Sequence, residues 1–139
     1  MRNLLLFGLL SISILSCKDN KTTYEIDDEL INDYLAKTNI AATKHSSGLY
    51  YIIEKEGNGI KPNYNSNIAV KTLGYYLDSS VFQKNTNDIE MPLKSTILGW
   101  QYGLPLFSEG GSGKLFIPRH LGYNTEVLIF DIELKEVFK

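Results

Sequence analysis

The sequence predicts an α+β domain in which an antiparallel β-sheet packs on one short helix and a further helix precedes the sheet. Apolar residues that alternate with polar ones predict strands, and apolar residues three and four apart predict helices. The predicted order is helix, strand, strand, helix, strand, strand, which favours an antiparallel sheet. The chain has 139 residues, 43% of them hydrophobic and 22% charged, so it has room for a single core.

Composition excludes several classes of function. The formal net charge of -2 leaves no basic surface for nucleic acid. His45 and His120 lie far apart and have no metal-type or triad-type neighbours, so we expect no metal site and no cofactor. The chain contains 16 aromatic residues (Phe 6, Trp 1, Tyr 9), which favours a β-rich core, an aromatic pocket, or both.

The first residues predict export. Residues 1–16 carry one arginine and then an apolar run that is too short to span a membrane, as in a secretory signal peptide. The stretch ILSC, ending at Cys17, resembles the bacterial lipobox, in which the cysteine is lipidated and becomes the mature N-terminus. The alternative is a signal peptide that is cut beside an incidental cysteine. Lipidation would anchor the protein to a membrane of the cell envelope, at the periplasmic face of the outer membrane or at the cell surface.

A helix is predicted over residues 25–37, after a polar tether that ends at residue 23. Its N-terminal half is acidic, which suits the helix dipole, and we expect this acidic face to be solvated. The apolar residues expected on its other side are Ile26, Leu30, Ile31, Tyr34 and Leu35. The predicted organisation is a signal peptide (1–16), a lipidated cysteine and tether (17–23), a helix and link (24–47) and a folded domain (48–139).

Strands are predicted over residues 48–59 and 68–77, where Gly74 indicates a bulge or a close backbone approach. Residues 83–90 are polar and predict a loop. The C-terminal segment alternates cleanly, which predicts a strand with one core face. The residues expected on that face are Leu128, Phe130, Ile132 and Leu134, with Ile129, Asp131 and Glu133 on the other.

The segment from Ile97 to Tyr123 predicts a helix, a glycine turn and a strand. The apolar residues Ile97, Trp100, Leu104 and Phe107 recur at helical spacing over about three turns. Gly99 and Gly103 would let this helix approach the sheet closely, and Pro105 should end it. Gly110, Gly111 and Gly113 then mark the turn into the strand GKLFI.

Four motifs occur in order between Gly48 and Val137. They are V-x-x-x-G-x-x-x-D-x-x-x-F (70–82), P-L-x-x-x-I-x-G-W-x-x-G-L (92–104), G-x-x-x-K-L-x-I-P-x-x-L-x-Y (110–123) and L-x-F-x-I-E-L (128–134). With them the chain resembles an FKBP-type peptidyl-prolyl cis-trans isomerase domain. The acidic helix that precedes G-L-Y-Y is similar to the lead-in of bacterial members, including FKBP-like lipoproteins associated with gliding motility.

The resemblance implies a half-open antiparallel sheet wrapped around the short helix, with a pocket between them that binds proline-containing exported polypeptides. Trp100 would form the floor of this pocket, and Ile97 would offer its backbone N–H to a ligand carbonyl. The remaining walls would be Phe82, Tyr123 and Phe130, with Met91, Thr72 and Gln83 as further substrate-binding positions. Met91 falls near a position where the family usually has an aromatic residue.

Two functions are compatible with these residues. A prolyl isomerase needs no nucleophile or metal, because it acts by favouring the twisted amide over either planar form. The alternative is an FKBP-fold binding module, a chaperone or a subunit of an envelope complex, with weak or no turnover. The pocket residues favour the first, whereas Thr72 for a tyrosine, Gln83 for an aspartate and a short loop after Tyr123 favour the second. Ser79 also departs from the family pattern, because it replaces a glycine. An unrelated β-rich lipoprotein is the third possibility.

Overall fold

The computed structural model describes residues 20–138, so the predicted signal peptide and Cys17 lie outside the described residues. Two helices and seven strands make up this part of the chain, and three short 3₁₀ turns connect them. The helices are α1 (Thr23–Thr38) and α2 (Leu98–Gly103). The strands are β1 (Thr43–Lys44), β2 (Tyr50–Lys55), β3 (Asn67–Tyr75), β4 (Val81–Lys84), β5 (Ile89–Pro92), β6 (Ser112–Ile117) and β7 (Leu128–Phe138).

The strands form one antiparallel sheet in the order β1-β2-β6-β7-β3-β4, and β5 pairs with β3 as well. β5 pairs with the first half of β3 and β4 with its second half, so both lie along the same edge. The predicted fold class is therefore confirmed, whereas the prediction of a loop over residues 83–90 was wrong for half of its length. Of that range, only residues 85–88 lie between the two short strands.

α1 covers one end of the outer face of the sheet. Thr22 and Glu25 form a capping box at its start. Ile31 and Leu35 are buried, but Ile26 and Leu30 are exposed, so the predicted apolar side of the helix was wrong at two of its five positions. The expectation of a solvated acidic face was wrong at Asp27, which is fully buried.

β7 presents the predicted core face. Leu128, Phe130, Ile132 and Leu134 all belong to the main core, which lies between the sheet and α2. The other face is not simply solvated, because Ile129 is buried beneath α1 in a second apolar cluster. The other buried residues of this cluster are Ile31, Leu35, Tyr50, Phe116 and Val127. At this end the sheet is covered on both faces, which corrects the prediction of a single core face.

α2 is shorter than the predicted three turns. It ends at Gly103 and continues as the 3₁₀ turn Leu104–Leu106, because Pro105 has no N–H to donate and crowds the preceding turn. The predicted close approach to the sheet is confirmed. A Cβ atom at Gly99 would lie 2.5 Å from Ile117, and one at Gly103 would lie 2.6 Å from Leu115.

Candidate functional site

A pocket of about 250 Å³ opens where α2, the edge strands β4 and β5, the start of β7 and the turn before it meet. Its lining residues are Gln83, Met91, Ser95, Thr96, Ile97, Trp100, Tyr123 and Phe130. No acidic, basic or histidine side chain is among them, so the pocket is uncharged. It is large enough for a proline ring and its flanking amide.

Packed aromatic rings build the floor and the inner wall of this pocket. Trp100, 4% exposed, meets Phe130 edge to face, with ring centroids 5.3 Å apart. Phe130 in turn meets Phe82 edge to face at 5.5 Å. Gly74 makes room for this contact, because a Cβ atom there would lie 2.7 Å from Phe82 and 2.9 Å from Phe130. The predicted close approach at Gly74 is therefore confirmed, and the wall is fixed by packing.

Ile97 lies immediately before α2 and caps it with its backbone. Its carbonyl accepts hydrogen bonds from the N–H groups of Trp100 at 3.0 Å and Gln101 at 3.1 Å. Among the hydrogen bonds within residues 20–138, none uses the Ile97 N–H. The segment before it is held in place, because the Thr96 hydroxyl donates to the Leu93 carbonyl at 2.7 Å and the Gln101 amide donates to the Thr96 carbonyl at 2.7 Å. Ile97 therefore lines the pocket from a segment whose backbone is held in place.

Tyr123 stands at the rim and is 56% exposed. It follows the 3₁₀ turn Arg119–Leu121, and the N–H groups of Gly122 and Asn124 both donate to the Arg119 carbonyl at 3.0 Å. Asn124 has a φ of 61°, in the left-handed region that asparagine tolerates. β7 begins at Leu128, so the predicted short connection after Tyr123 is confirmed.

A buried ion pair that the sequence argument missed ties α1 to this turn. The Asp27 carboxylate accepts a hydrogen bond from the Arg119 backbone N–H at 2.9 Å and one from Arg119 Nε at 2.6 Å. One signal in the sequence pointed to it: Asp27 stands four residues before Ile31 and eight before Leu35, on the stripe that α1 buries.

The structure brings most of the predicted site residues together. Ile97, Trp100, Tyr123, Phe130, Met91 and Gln83 line the pocket, and Phe82 supports it from behind Phe130. Thr72 is 3% exposed but does not line it, and its hydroxyl has no hydrogen-bond partner within the described range. Ser95 and Thr96 were missed, because both stand at variable positions of the motif over residues 92–104. The roles of all these residues in binding and catalysis stay predictions.

The pocket is suited to binding and desolvation rather than to acid–base or metal chemistry. Trp100 Nε1 is buried without a hydrogen-bond partner in the part of the chain that the structure describes. No group of three His, Cys, Asp or Glu side chains converges on a metal-type site within residues 20–138. An apolar floor beside a backbone donor can bind a ring and an adjacent carbonyl.

Comparison with known proteins decides the family. The profile of the FKBP-type peptidyl-prolyl cis-trans isomerases matches residues 58–135, which is more than half of the chain. The chain belongs to the FKBP-type peptidyl-prolyl cis-trans isomerase family. It is 41% identical over 109 residues to the FKBP-type peptidyl-prolyl cis-trans isomerase FkpA of Buchnera aphidicola subsp. Schizaphis graminum, covering 68% of this chain and 43% of the relative.

Two further known proteins are similar to this chain over two thirds of its length or more. The chain is 31% identical over 106 residues to the outer membrane protein MIP of Legionella longbeachae, covering 67% of this chain and 46% of that protein. The crystal structure of FkpA from Escherichia coli superposes with a TM-score of 0.73 at 27% identity, over 81% of this chain and 60% of that one. The chain thus spans less than half the length of these two curated relatives.

Proposed function

We propose that this FKBP-type chain is a peptidyl-prolyl cis-trans isomerase that assists the folding of exported proteins. The observation that carries the proposal is the uncharged aromatic pocket with the unpaired Ile97 N–H at its edge. Family membership and the FkpA relatives support it.

The pocket geometry suggests how catalysis would proceed. Rotation about the X-Pro bond faces a barrier of roughly 18–20 kcal/mol that arises from amide resonance. In our proposal the proline ring rests on Trp100 against Phe130, and the Ile97 N–H binds a carbonyl of the substrate. Removing water from the amide and holding both ends weakens the resonance and favours the twisted form, so no covalent step is needed.

A protease-coupled assay with a proline-containing peptide tests the activity. We expect the exported chain, purified in detergent, to accelerate isomerisation of the peptide. Trp100→Leu should reduce kcat/KM by about tenfold or more, because the aromatic floor of the pocket is lost. Tyr102→Leu is the matched control, since it replaces an exposed aromatic residue of the same helix outside the pocket lining. A folded wild-type protein without turnover would refute the proposal.

An FKBP-fold binding module is the second candidate, and specific observations favour it. Gln83 lines the pocket where the family has an aspartate, and Thr72 lies outside the pocket where the family has a tyrosine. Trp100 is the single tryptophan of the chain, so its fluorescence reports on the pocket. Saturable quenching of Trp100 by a proline peptide, in the absence of turnover, would identify the binding module.

We also propose that Cys17 is lipidated and that the protein acts at the cell envelope. The resemblance of ILSC to a lipobox supports this, as does the similarity to a relative named outer membrane protein MIP. None of the helices within residues 20–138 is long and apolar enough to cross a membrane. Labelling with palmitate, with Cys17→Ser as the control, tests lipidation, and protease treatment of intact cells distinguishes the cell surface from the periplasmic face.

A further inference from the structure

We propose that Asp27 on α1 is a positioning residue for the pocket: through Arg119 it fixes the turn over residues 118–124 that presents Tyr123. The geometric part of this inference stands on contacts alone, and only its effect on activity rests on the isomerase function proposed above.

The Asp27 carboxylate holds one residue of the turn at two points. Its Oδ2 accepts from the backbone N–H of Arg119 at 2.9 Å, and its Oδ1 accepts from Nε of the same residue at 2.6 Å. Asp27 is 0% exposed, so water cannot replace either bond. Hydrogen bonds to a charged group are about twice as strong as neutral ones. Two bonds at an angle to each other fix both the position and the orientation of Arg119.

The backbone carbonyl of Arg119 links this contact to the residues on either side of Tyr123. The Arg119 carbonyl accepts from the N–H groups of both Gly122 and Asn124 at 3.0 Å, so the two bonds bracket Tyr123 in sequence. The Tyr123 side chain is 56% exposed, and no hydrogen bond within residues 20–138 uses its hydroxyl. The position of its ring therefore depends on its backbone, and this depends on Arg119.

Leu121 anchors the middle of the turn in the main core, so the contact with Asp27 holds the beginning of the turn, at Arg119. β7 begins at Leu128, which leaves only a short connection after Tyr123. α1 adds a second contact to the turn, because Tyr24 meets His120 edge to face with ring centroids 4.5 Å apart. These contacts of α1 with the turn lie at Arg119 and His120, and Asp27 makes the buried one.

The next residue along the helix provides a matched control. Asp28 accepts a hydrogen bond from the Tyr50 hydroxyl at 2.8 Å and pairs with Lys44, so it fastens α1 to β1 and β2. Two adjacent carboxylates therefore hold the same helix to different parts of the domain. Losing either carboxylate would loosen the helix, whereas of these two residues only Asp27 hydrogen-bonds to the turn over residues 118–124.

The test measures hydrogen exchange of the full chain in detergent, over the segment 119–124, together with kcat/KM on a proline peptide. For Asp27→Asn we expect exchange in that segment to rise about tenfold and kcat/KM to fall about tenfold, because the rim residue is misplaced. Asp28→Asn should leave both close to the wild-type values. Arg119→Lys keeps a cation and should retain at least half of the wild-type kcat/KM. Arg119→Met keeps the backbone bond to Asp27 but leaves the buried carboxylate without its cation, so exchange should rise and kcat/KM should fall more than in Arg119→Lys.

Each outcome decides the proposal. Unchanged exchange in Asp27→Asn, or equal changes in Asp27→Asn and Asp28→Asn, would overturn it. If Asp27→Asn does not fold, the pair Arg119→Lys and Arg119→Met decides by the same two readouts. If the wild-type protein has no turnover, the isomerase proposal fails, and the exchange measurement still decides the positioning.

Discussion

Tyr123 offers a direct test of the pocket, because its side chain can be changed with little effect on folding. It is 56% exposed at the rim. Tyr123→Phe removes one hydroxyl, and a lost hydrogen bond to substrate is worth about 0.5–1.5 kcal/mol, or roughly 2- to 12-fold in kcat/KM. This assumes that the hydroxyl bonds to the bound peptide.

Tyr123→Ala removes the ring as well. A tyrosine side chain contributes on the order of 200 Å² of surface, so about 100 Å² of this half-exposed ring is open to a bound peptide. If the peptide covers half of that area, at about 25 cal/mol per Å², the ring contributes about 1.3 kcal/mol, or roughly tenfold. We therefore expect Tyr123→Ala to lower kcat/KM by about 20- to 100-fold in total.

Tyr64 supplies the control, since it is 57% exposed and does not line the pocket. Tyr64→Ala should leave kcat/KM in the protease-coupled assay unchanged. Thermal unfolding of the tyrosine variants should shift by only a few degrees, as expected for surface substitutions. Wild-type kcat/KM in folded Tyr123→Ala, or an equal loss in Tyr64→Ala, would refute the assignment of Tyr123 to the rim.

Three further predictions follow from the site and its support. Gly74→Ala should lower the free energy of unfolding by about 1–3 kcal/mol in denaturant titrations and reduce kcat/KM, because the new Cβ would displace Phe82 and Phe130. kcat/KM should be flat between pH 6 and 8, since none of the pocket-lining residue types ordinarily titrates in that range; a bell-shaped profile would contradict this. Lys44 hydrogen-bonds to the carboxylate of Asp28 and holds its pKa below the ordinary value, so the stability that Asp28 contributes is present above about pH 4 and is lost below it. The difference in Tm between wild type and Asp28→Asn should therefore shrink as the pH falls from 5 to 3.

Much of the fold could be predicted because its signals are local. The inner face of β7 follows from alternation alone, and the close contact of α2 with the sheet follows from Gly99 and Gly103. β4 and β5 escaped prediction because each has only four residues and lies at the edge of the sheet, where polar side chains are tolerated.

The limits of prediction at α1 and at the site have a different cause. Helical spacing alone does not choose between neighbouring apolar stripes of α1. The stripe that is buried contains Asp27, whose partner Arg119 lies 92 residues away in the sequence. Motif spacing did place Ile97, Trp100 and Phe130 around one pocket. It failed to exclude Thr72, which is buried on β3 outside the pocket lining.

The floor and the rim of this pocket share the main core, where Leu121 of the rim turn is buried with Trp100 and Phe130, but only the rim is also fastened to α1. Trp100 and Phe130 belong to the main core, which the sheet and α2 form without α1. Tyr123 depends on a turn that is fastened to α1 at Arg119, while α1 itself covers Phe116 and Ile129 on the outer face of the sheet. α1 therefore both covers the sheet and supports the turn that carries Tyr123. Breaking the contact of Asp27 with Arg119 would therefore loosen the rim of the pocket while the surface formed by Trp100 and Phe130 stayed intact.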